Sequence, residues 1–192
     1  GNKARYLSRM LPHFPRHIEG DFYEPFLGSG RVTLAYLLLV EEGEVRINGN
    51  IYMYDINPHI INYYQCIKDN AEELHNTINE LEDYGTPEDF YYLRYIFNEE
   101  ESLSNTDKAA LFAYLAMWSF SSKWITSTDG KFSGTANLGK MSEIPPRRTN
   151  FQIKEISYLL NKYNLTIECK SFTEVTPKKG DYLYLDPPYT KS

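Results

Sequence analysis

A carboxylate, two prolines and a tyrosine stand together near the carboxyl end of the chain, as Asp186-Pro187-Pro188-Tyr189. They directly follow residues 182–185, an apolar run that is typical of a buried strand. The Asp186 carboxylate and the Pro187 carbonyl can both accept hydrogen bonds from an exocyclic NH2 group, and the prolines prevent helix formation here. The Tyr189 ring offers a face on which a nucleobase can stack. The tetrapeptide indicates a site for an aromatic amine, although such a sequence after a strand is often only a turn.

A second motif lies near the amino end. Residues 21–30 read as a short aromatic strand followed by a Gly-x-Gly turn at Gly28 and Gly30, and an apolar helical stretch follows at residues 32–40. Glycines at such a point allow a tight turn and a close approach of the backbone to a ligand at the amino end of the helix. A lone Gly-x-Gly is often a packing turn, so this motif is weak by itself.

A third motif, Asp55-Ile56-Asn57-Pro58, ends the strand-like residues 51–54. In doubly wound α/β folds, an acidic residue at the end of the second strand binds ribose hydroxyls. The alternative for Asp55 is a helix cap, because Asn57-Pro58 is typical of a helix start. A cap would explain one residue and leave the spacing of the three motifs unexplained.

These motifs resemble those of the Dam-type DNA adenine methyltransferases, which use S-adenosylmethionine. That family carries a Gly-Gly-Lys segment, a Glu-Pro-Phe-x-Gly-x-Gly loop, an Asp-Ile-Asn, a long DNA-reading insertion and an Asp-Pro-Pro-Tyr. This chain has Gly1-Asn2-Lys3, residues 24–30, Asp55-Ile56-Asn57 and residues 186–189 in the same order. The resemblance spans nearly the whole chain, with Asn2 where the family usually has Gly.

The resemblance implies roles for individual residues. Asp186, Pro187 and Tyr189 are expected to be catalytic and to hold an adenine that has been flipped out of the duplex. The methyl group would then pass to the N6 amino group by direct displacement, without a metal or a covalent enzyme adduct. Contacts to S-adenosylmethionine are expected from Lys3, Phe26, Gly28, Gly30, Asp55, Ile56, Phe172 and Asp186. For Phe172, a position in the core is the alternative.

The predicted elements alternate in the manner of an α/β fold, which the resemblance makes a Rossmann-like S-adenosylmethionine-dependent methyltransferase sheet. A hairpin turn is predicted at Asp129-Gly130, within an extended segment at residues 123–140. Strands are predicted at residues 20–26, 51–54, 165–169 and 181–185. Helices are predicted at residues 4–11, 31–41, 86–98, 106–118 and 150–163, with one or two more in 58–84.

The all-helical middle interrupts the sheet as an inserted domain would. Residues 1–57 and 150–192 are therefore predicted to form the methyltransferase domain, and residues 58–149 an inserted target-recognition domain. In the family, that insertion is a helical bundle with a β-hairpin that enters the DNA groove. Here residues 118–125 and 130–134 match the reading loop by position.

This chain departs from the GATC-reading members at Ser121-Ser122 and Ile125, so the target sequence stays open. Those members carry Asn-Gly and Arg there. The candidate contacts to double-stranded DNA are Lys123, Trp124, Lys131 and Arg147. For Trp124, a place among the core aromatic residues of the bundle is an equal alternative.

Charge is distributed unevenly along the chain. The net charge of −6 argues against a broad non-specific DNA coat. Residues 61–110 carry twelve acidic and three basic side chains, whereas residues 121–150 carry five basic and two acidic ones. An acidic chain with one basic stretch fits an enzyme that touches DNA through a few elements; a solvated surface loop is the alternative.

The two cysteines, Cys66 and Cys169, lie in apolar contexts and show no metal or redox spacing. A reducing, intracellular compartment is therefore expected: the cytoplasm or nucleoid, or a host cell if the protein is viral. The longest apolar run, residues 32–40, is too short to span a membrane.

In the family, roughly another third of the catalytic domain follows Asp-Pro-Pro-Tyr, whereas this chain stops at Ser192. We expect the remaining strands to come from a missing segment or from a second chain, and the oligomeric state stays open. Four strands alone would leave an unprotected sheet edge, so poor stability of these residues by themselves is expected.

The function indicated is site-specific methylation of adenine N6 in DNA. The alternative from another class is a catalytically inactive, methyltransferase-like DNA-binding or scaffolding subunit. Amino methylation of cytosine or RNA is a closer alternative. The Asp of Asp-Pro-Pro-Tyr favours adenine, because cytosine-amino enzymes more often carry Ser there. Membership of a restriction-modification pair, a virus or a housekeeping system is left open.

Overall fold

The computed structural model describes residues 7, 9–120, 124–143 and 152–187. The chain divides into two compact units. Residues 2–64 together with 155–192 form the first, which we call the sheet unit, and residues 65–154 form the second, which we call the helical unit. Lys3, Lys123, Arg147 and Tyr189 lie outside the described residues.

Within the described residues, the main sheet of the sheet unit has four parallel strands in the order β5-β4-β2-β6. A separate parallel pair is formed by β1 and β3. The mixed α/β class with parallel sheets is therefore confirmed. The strands are β1 (His17–Ile18), β2 (Phe22–Glu24), β3 (Arg46–Ile47), β4 (Ile51–Asp55), β5 (Leu165–Cys169) and β6 (Tyr182–Leu183).

One face of the main sheet is packed and the other is partly open. Side chains alternate across a strand, and the register aligns Phe22 with Ile51 and Ile51 with Leu165, all of them buried. Helix α1 (Arg31–Glu41) covers this face, since the Tyr36 ring stacks on Phe22 at 5.3 Å. On the opposite face, the half-buried Tyr23 and Tyr52 stack at 4.6 Å.

A row of Asp and Asn side chains joins the amino ends of these strands, and we call it the Asx row. Asp181 accepts a hydrogen bond from the Asp21 backbone N–H at 2.8 Å, and Asp21 accepts one from the Asn50 backbone N–H at 2.7 Å. The Asn164 side chain donates to that of Asn50. Each bond links neighbouring strands, so the row fixes where the sheet begins.

Buried tyrosines make the stability of the sheet unit depend on alkaline pH. Burial raises the pKa of Tyr36 and of Tyr54 to about 12. A phenol with a pKa near 10 when unfolded and 12 when folded contributes its full stabilisation below pH 10 and loses it as the pH rises towards 12. We expect the free energy of unfolding to fall by up to about 2–3 kcal/mol for each of these residues.

Urea unfolding between about pH 9 and about pH 11 measures this effect. Tyr36→Phe should make the alkaline slope less steep, because it removes one of the tyrosines whose pKa is raised by burial. The exposed Tyr92→Phe should keep the full slope. A wild-type unfolding midpoint that does not change over this range would contradict the expectation.

The helices begin and end close to where their sequence signals lie. The predicted helix at residues 31–41 is confirmed as α1, and the predicted helical region at 58–84 contains two α-helices. Helix α6 was not predicted. The remaining helices are α2 (Pro58–Asp69), α3 (Ala71–Glu80), α4 (Pro87–Glu99), α5 (Asn105–Trp118), α6 (Leu138–Glu143) and α7 (Ile153–Lys162).

Helix α5 starts one residue before the predicted position. Its N-cap is Ser104, whose side chain accepts a hydrogen bond from the Asp107 backbone N–H at 3.0 Å. The Asp107 carboxylate accepts in return from the Ser104 N–H, which completes a capping box. Thr106, the predicted opening residue, is buried inside the first turn.

Other differences concern short elements. The strands predicted at 20–26 and 181–185 are shorter at both ends. Their first residues belong to turns and to the Asx row, and residues 25–26 and 184–185 follow the last residues of β2 and β6. Two-residue strands such as β1 and β3 are too short for periodicity to reveal them. A 3-10 helix spans Leu11–His13, so Pro12 lies inside a helical turn rather than after one. Among the described helices, none is long and apolar enough to cross a membrane.

Candidate functional site

The order of the strands reverses at β2. The chain passes from β2 through α1 to β4 and later to β5 on one side, whereas β6 pairs with β2 on the other side. Doubly wound sheets bind their ligands at the carboxyl ends of the strands where this reversal occurs. The candidate site is therefore expected just beyond β2 and β6.

Two of the sequence motifs meet at this reversal. Tyr23 lies opposite Leu183 in the register of β2 and β6, and the Tyr184 N–H donates to the Tyr23 carbonyl at 2.9 Å. Residues 25–30, which we call the glycine loop, leave β2 at the same edge at which residues 184–187 leave β6. Asp186 is half-buried there and Pro187 is exposed.

The glycine loop has a defined shape. Gly28 and Gly30 have φ angles of 48° and 59°, in the left-handed region that favours glycine. The Leu27 N–H donates to the Tyr54 carbonyl on β4 at 2.9 Å, and the Gly30 N–H donates back to the Leu27 carbonyl at 2.7 Å. Gly30 is also the N-cap of α1, so the loop delivers the chain directly into the helix.

Asp55 holds the glycine loop from the end of β4. One carboxylate oxygen accepts from the Gly28 N–H and the other from the Asn57 N–H, each at 2.9 Å. Asn57 itself accepts from the His59 N–H at 2.9 Å, so Asn57 rather than Asp55 caps α2. A carboxylate has about four acceptor positions, and two of those on Asp55 remain for a ligand hydroxyl.

Two buried side chains that the sequence analysis did not single out contact the first turn of α1 and the glycine loop. Glu24 is 3% exposed and accepts hydrogen bonds from the Thr33 N–H at 3.0 Å and from the Thr33 hydroxyl. A carboxylate at this position stabilises the positive amino end of α1. The Tyr64 hydroxyl donates to the Ser29 carbonyl at 2.6 Å. Glu24 lies within the quoted motif, whereas helical spacing was the one available signal for Tyr64.

An apolar surface lies at the carboxyl edge of the sheet. The rings of Phe26 and Phe172 are 5.1 Å apart, and Phe172 is 50% exposed, so it is not a core residue. Ile56, which follows β4, is 72% exposed. Flat or branched apolar side chains left open beside a carboxylate form a surface that can hold an aromatic ring joined to a sugar.

The two described candidates for DNA contact are engaged within the helical unit. The Trp124 ring stacks on Phe132 at 4.0 Å and also contacts Phe97 and Phe112. Its side chain therefore belongs to an aromatic cluster of the bundle. Lys131 forms an ion pair with Glu99 at 2.6 Å, and the hydrogen bond to that carboxylate raises the pKa of Lys131.

The segment that carries these residues doubles back on itself. Isolated antiparallel bridges pair Thr126 with Phe132 and Ser119 with Ala136. A turn is present at the predicted Asp129-Gly130, where the Gly130 N–H donates to the Ser127 carbonyl at 3.0 Å. The Arg94 guanidinium on α4 donates to the Gly134 carbonyl at 2.9 Å. This bond attaches residues 132–136, which we call the returning arm, to the bundle.

The chain is similar to known proteins along its length. It is 25% identical over 190 residues to a type II methyltransferase, M1.LlaDCHI, of Lactococcus lactis subsp. cremoris, covering 94% of this chain and 62% of the relative. It is 28% identical over 198 residues to the retron Ec67 DNA adenine methylase of Escherichia coli, covering 98% of this chain and 61% of the relative. The chain thus spans about six tenths of the length of these relatives. The model of one family matches residues 1–192, and the chain belongs to that family, the D12 class N6 adenine-specific DNA methyltransferases.

Proposed function

We propose that this protein transfers a methyl group from S-adenosylmethionine to the N6 amino group of adenine in DNA. The observation that carries the proposal is the juxtaposition of residues 184–187 with the glycine loop at the reversal of strand order. Family membership and the names of the two relatives support the same activity.

The residues at the carboxyl edge of the sheet fit S-adenosylmethionine. We assign the ribose to the free acceptor positions of Asp55, the adenine ring to Ile56 and Phe172, and the methionine part to Phe26, Gly28 and Gly30. Lys3 and Asp186 complete the proposed set. When bound, this cofactor supplies an electrophilic methyl group on a positively charged sulfur.

The proposed catalytic residues act on the amino group of the adenine. That nitrogen is a poor nucleophile, because its lone pair is delocalised into the ring. The Asp186 carboxylate and the Pro187 carbonyl would accept hydrogen bonds from the two N–H groups of this amine. These bonds favour a tetrahedral nitrogen with an available lone pair. Tyr189 would stack on the flipped base and offset part of the cost of unstacking, which is a few kcal/mol. Positioning is then the main catalytic effect.

We propose further that the helical unit is the inserted target-recognition domain, and that residues 124–134 are its DNA-reading hairpin. The basic character of residues 121–150 supports this role. Lys123, Lys131 and Arg147 are the proposed contacts. Trp124 is proposed to hold the hairpin on the bundle through its aromatic neighbours. A phosphate that approaches Lys131 must compete with Glu99.

The proposal is tested by incubating the protein with labelled S-adenosylmethionine and duplexes that contain adenine. Matched duplexes carry hypoxanthine in place of adenine and so lack the N6 amino group. Nucleoside mass spectrometry should find N6-methyladenine in the first set and no methylated base in the second. Binding of duplex without methylation would instead favour the scaffolding alternative, and methylation of cytosine would overturn the choice of base.

A further inference from the structure

We propose that Tyr64 is a positioning residue for the glycine loop, which it holds in the cofactor-receiving shape before any cofactor binds. The inference rests on the proposed function, because it takes S-adenosylmethionine as the ligand of that loop. Tyr64 lies on α2, outside the motifs that indicated the site.

The contact between Tyr64 and the loop has two parts. The hydroxyl donates to the Ser29 carbonyl at 2.6 Å, and the side chain is buried, with 4% of its surface exposed. The ring also fills the space beside Gly30, where an added Cβ atom would lie 2.3 Å from the hydroxyl oxygen and 2.6 Å from Cζ. Hydrogen bond and ring together define the position of residues 29–30.

The Tyr64 hydroxyl stays protonated. Burial raises its pKa well above the ordinary value, with further contributions from Tyr63 and the Glu24 carboxylate. A neutral phenol can donate to a carbonyl, whereas a phenolate cannot. The bond to Ser29 is therefore present throughout the physiological pH range.

Tyr64 complements the anchors that come from β4. The Tyr54 carbonyl accepts a hydrogen bond from the Leu27 N–H and the Asp55 carboxylate accepts one from the Gly28 N–H, and Tyr64 holds the following residues. Asp55 and Tyr64 belong to one continuous segment, since α2 begins three residues after Asp55. The carboxylate assigned to the ribose and the hydroxyl that shapes the loop are therefore fixed on the same stretch of chain.

Removing the hydroxyl should weaken cofactor binding without removing any proposed cofactor contact. A loop that adopts its competent shape for a smaller fraction of the time binds its ligand more weakly by that fraction. We expect Tyr64→Phe to raise the Kd and the KM for S-adenosylmethionine about 5- to 30-fold. At saturating cofactor, kcat should change by less than about threefold, because the bound state restores the loop.

The matched control is Tyr114→Phe in the helical unit. Tyr114 is also buried, and its hydroxyl donates to the backbone carbonyl of Tyr84 at 2.9 Å. The two variants lose the same group and the same kind of hydrogen bond, so both should lose a similar amount of thermal stability. Tyr114→Phe should keep the wild-type KM for the cofactor.

Amide hydrogen exchange without cofactor supplies a readout that does not depend on activity. Tyr64→Phe should increase exchange at Gly28 and Gly30 about tenfold, and Tyr114→Phe should not. Wild-type exchange and wild-type KM in Tyr64→Phe would overturn the inference. If the wild-type protein neither binds S-adenosylmethionine nor methylates DNA while Tyr64→Phe still loosens the loop, the proposed function fails and the positioning of the loop by Tyr64 stands.

Discussion

Asp186→Ala is expected to lower kcat for adenine methylation by at least about 100-fold. Asp186 follows β6 at the point where the strand order reverses, and it is half-buried. Alanine removes the side chain that is proposed to accept a hydrogen bond from the amino group, so the nitrogen should keep its delocalised lone pair. Steady-state methylation of an adenine-containing duplex at saturating S-adenosylmethionine measures the loss.

A graded series separates this effect from damage to the fold. Asp186→Asn keeps an oxygen acceptor and should lie between alanine and wild type in kcat. Glu44→Ala removes an exposed carboxylate of the same unit, which pairs with Arg16 at the surface, and should behave as wild type. DNA binding by Asp186→Ala should persist. A wild-type kcat in Asp186→Ala would refute the catalytic role of this residue.

Gly30→Ala is expected to lower the free energy of unfolding by about 2–5 kcal/mol and cofactor affinity by about 100-fold or more. Two costs add. A residue with a Cβ is strained at a φ of 59°, and that Cβ would meet the buried Tyr64 ring. Either the ring or the loop must move, and the loop is the proposed seat of the methionine part.

Gly43→Ala separates these two costs. Gly43 also has a positive φ, 73°, but an added Cβ would meet no atom within 4 Å. This variant should lose about 1 kcal/mol of stability through backbone strain alone and should keep its cofactor affinity. Urea unfolding and calorimetric titration of both variants test the pair. Equal losses in the two variants would show that the contact with Tyr64 contributes nothing.

Local signals in the sequence were sufficient for the elements that lie beside the site. Helix α1 begins directly after Gly30, and its apolar spacing agrees with the observed bounds. The motifs predicted that Asp55 and Asp186 each follow a strand, and the structure shows that both strands run parallel to β2 and so end at the same edge of the sheet. The start of α5 was misplaced, because Ser104 and Thr106 are both good capping residues and the reciprocal bond with Asp107 decides between them.

The contacts that shape the glycine loop could not be predicted from sequence. Helical periodicity predicts that Tyr64 lies on the apolar face of its helix, but it does not reveal that the hydroxyl meets Ser29, which is 35 residues away. The sequence did not decide whether Trp124 contacts DNA or packs in the core, since an aromatic side chain suits either place. Its stacking on Phe132 depends on how the returning arm packs, which is a property of the folded unit.

The Asx row has a consequence for folding during synthesis on the ribosome. Asp21 and Asp181 bond across 160 residues, so β2 receives β6 after the entire helical unit has been synthesised. At about 5–20 residues per second, that interval is on the order of ten seconds. The helical unit consists of consecutive residues and can condense during this time. Nascent β2 and β4 meanwhile keep unpaired edges, and unpaired strand edges can associate with other chains.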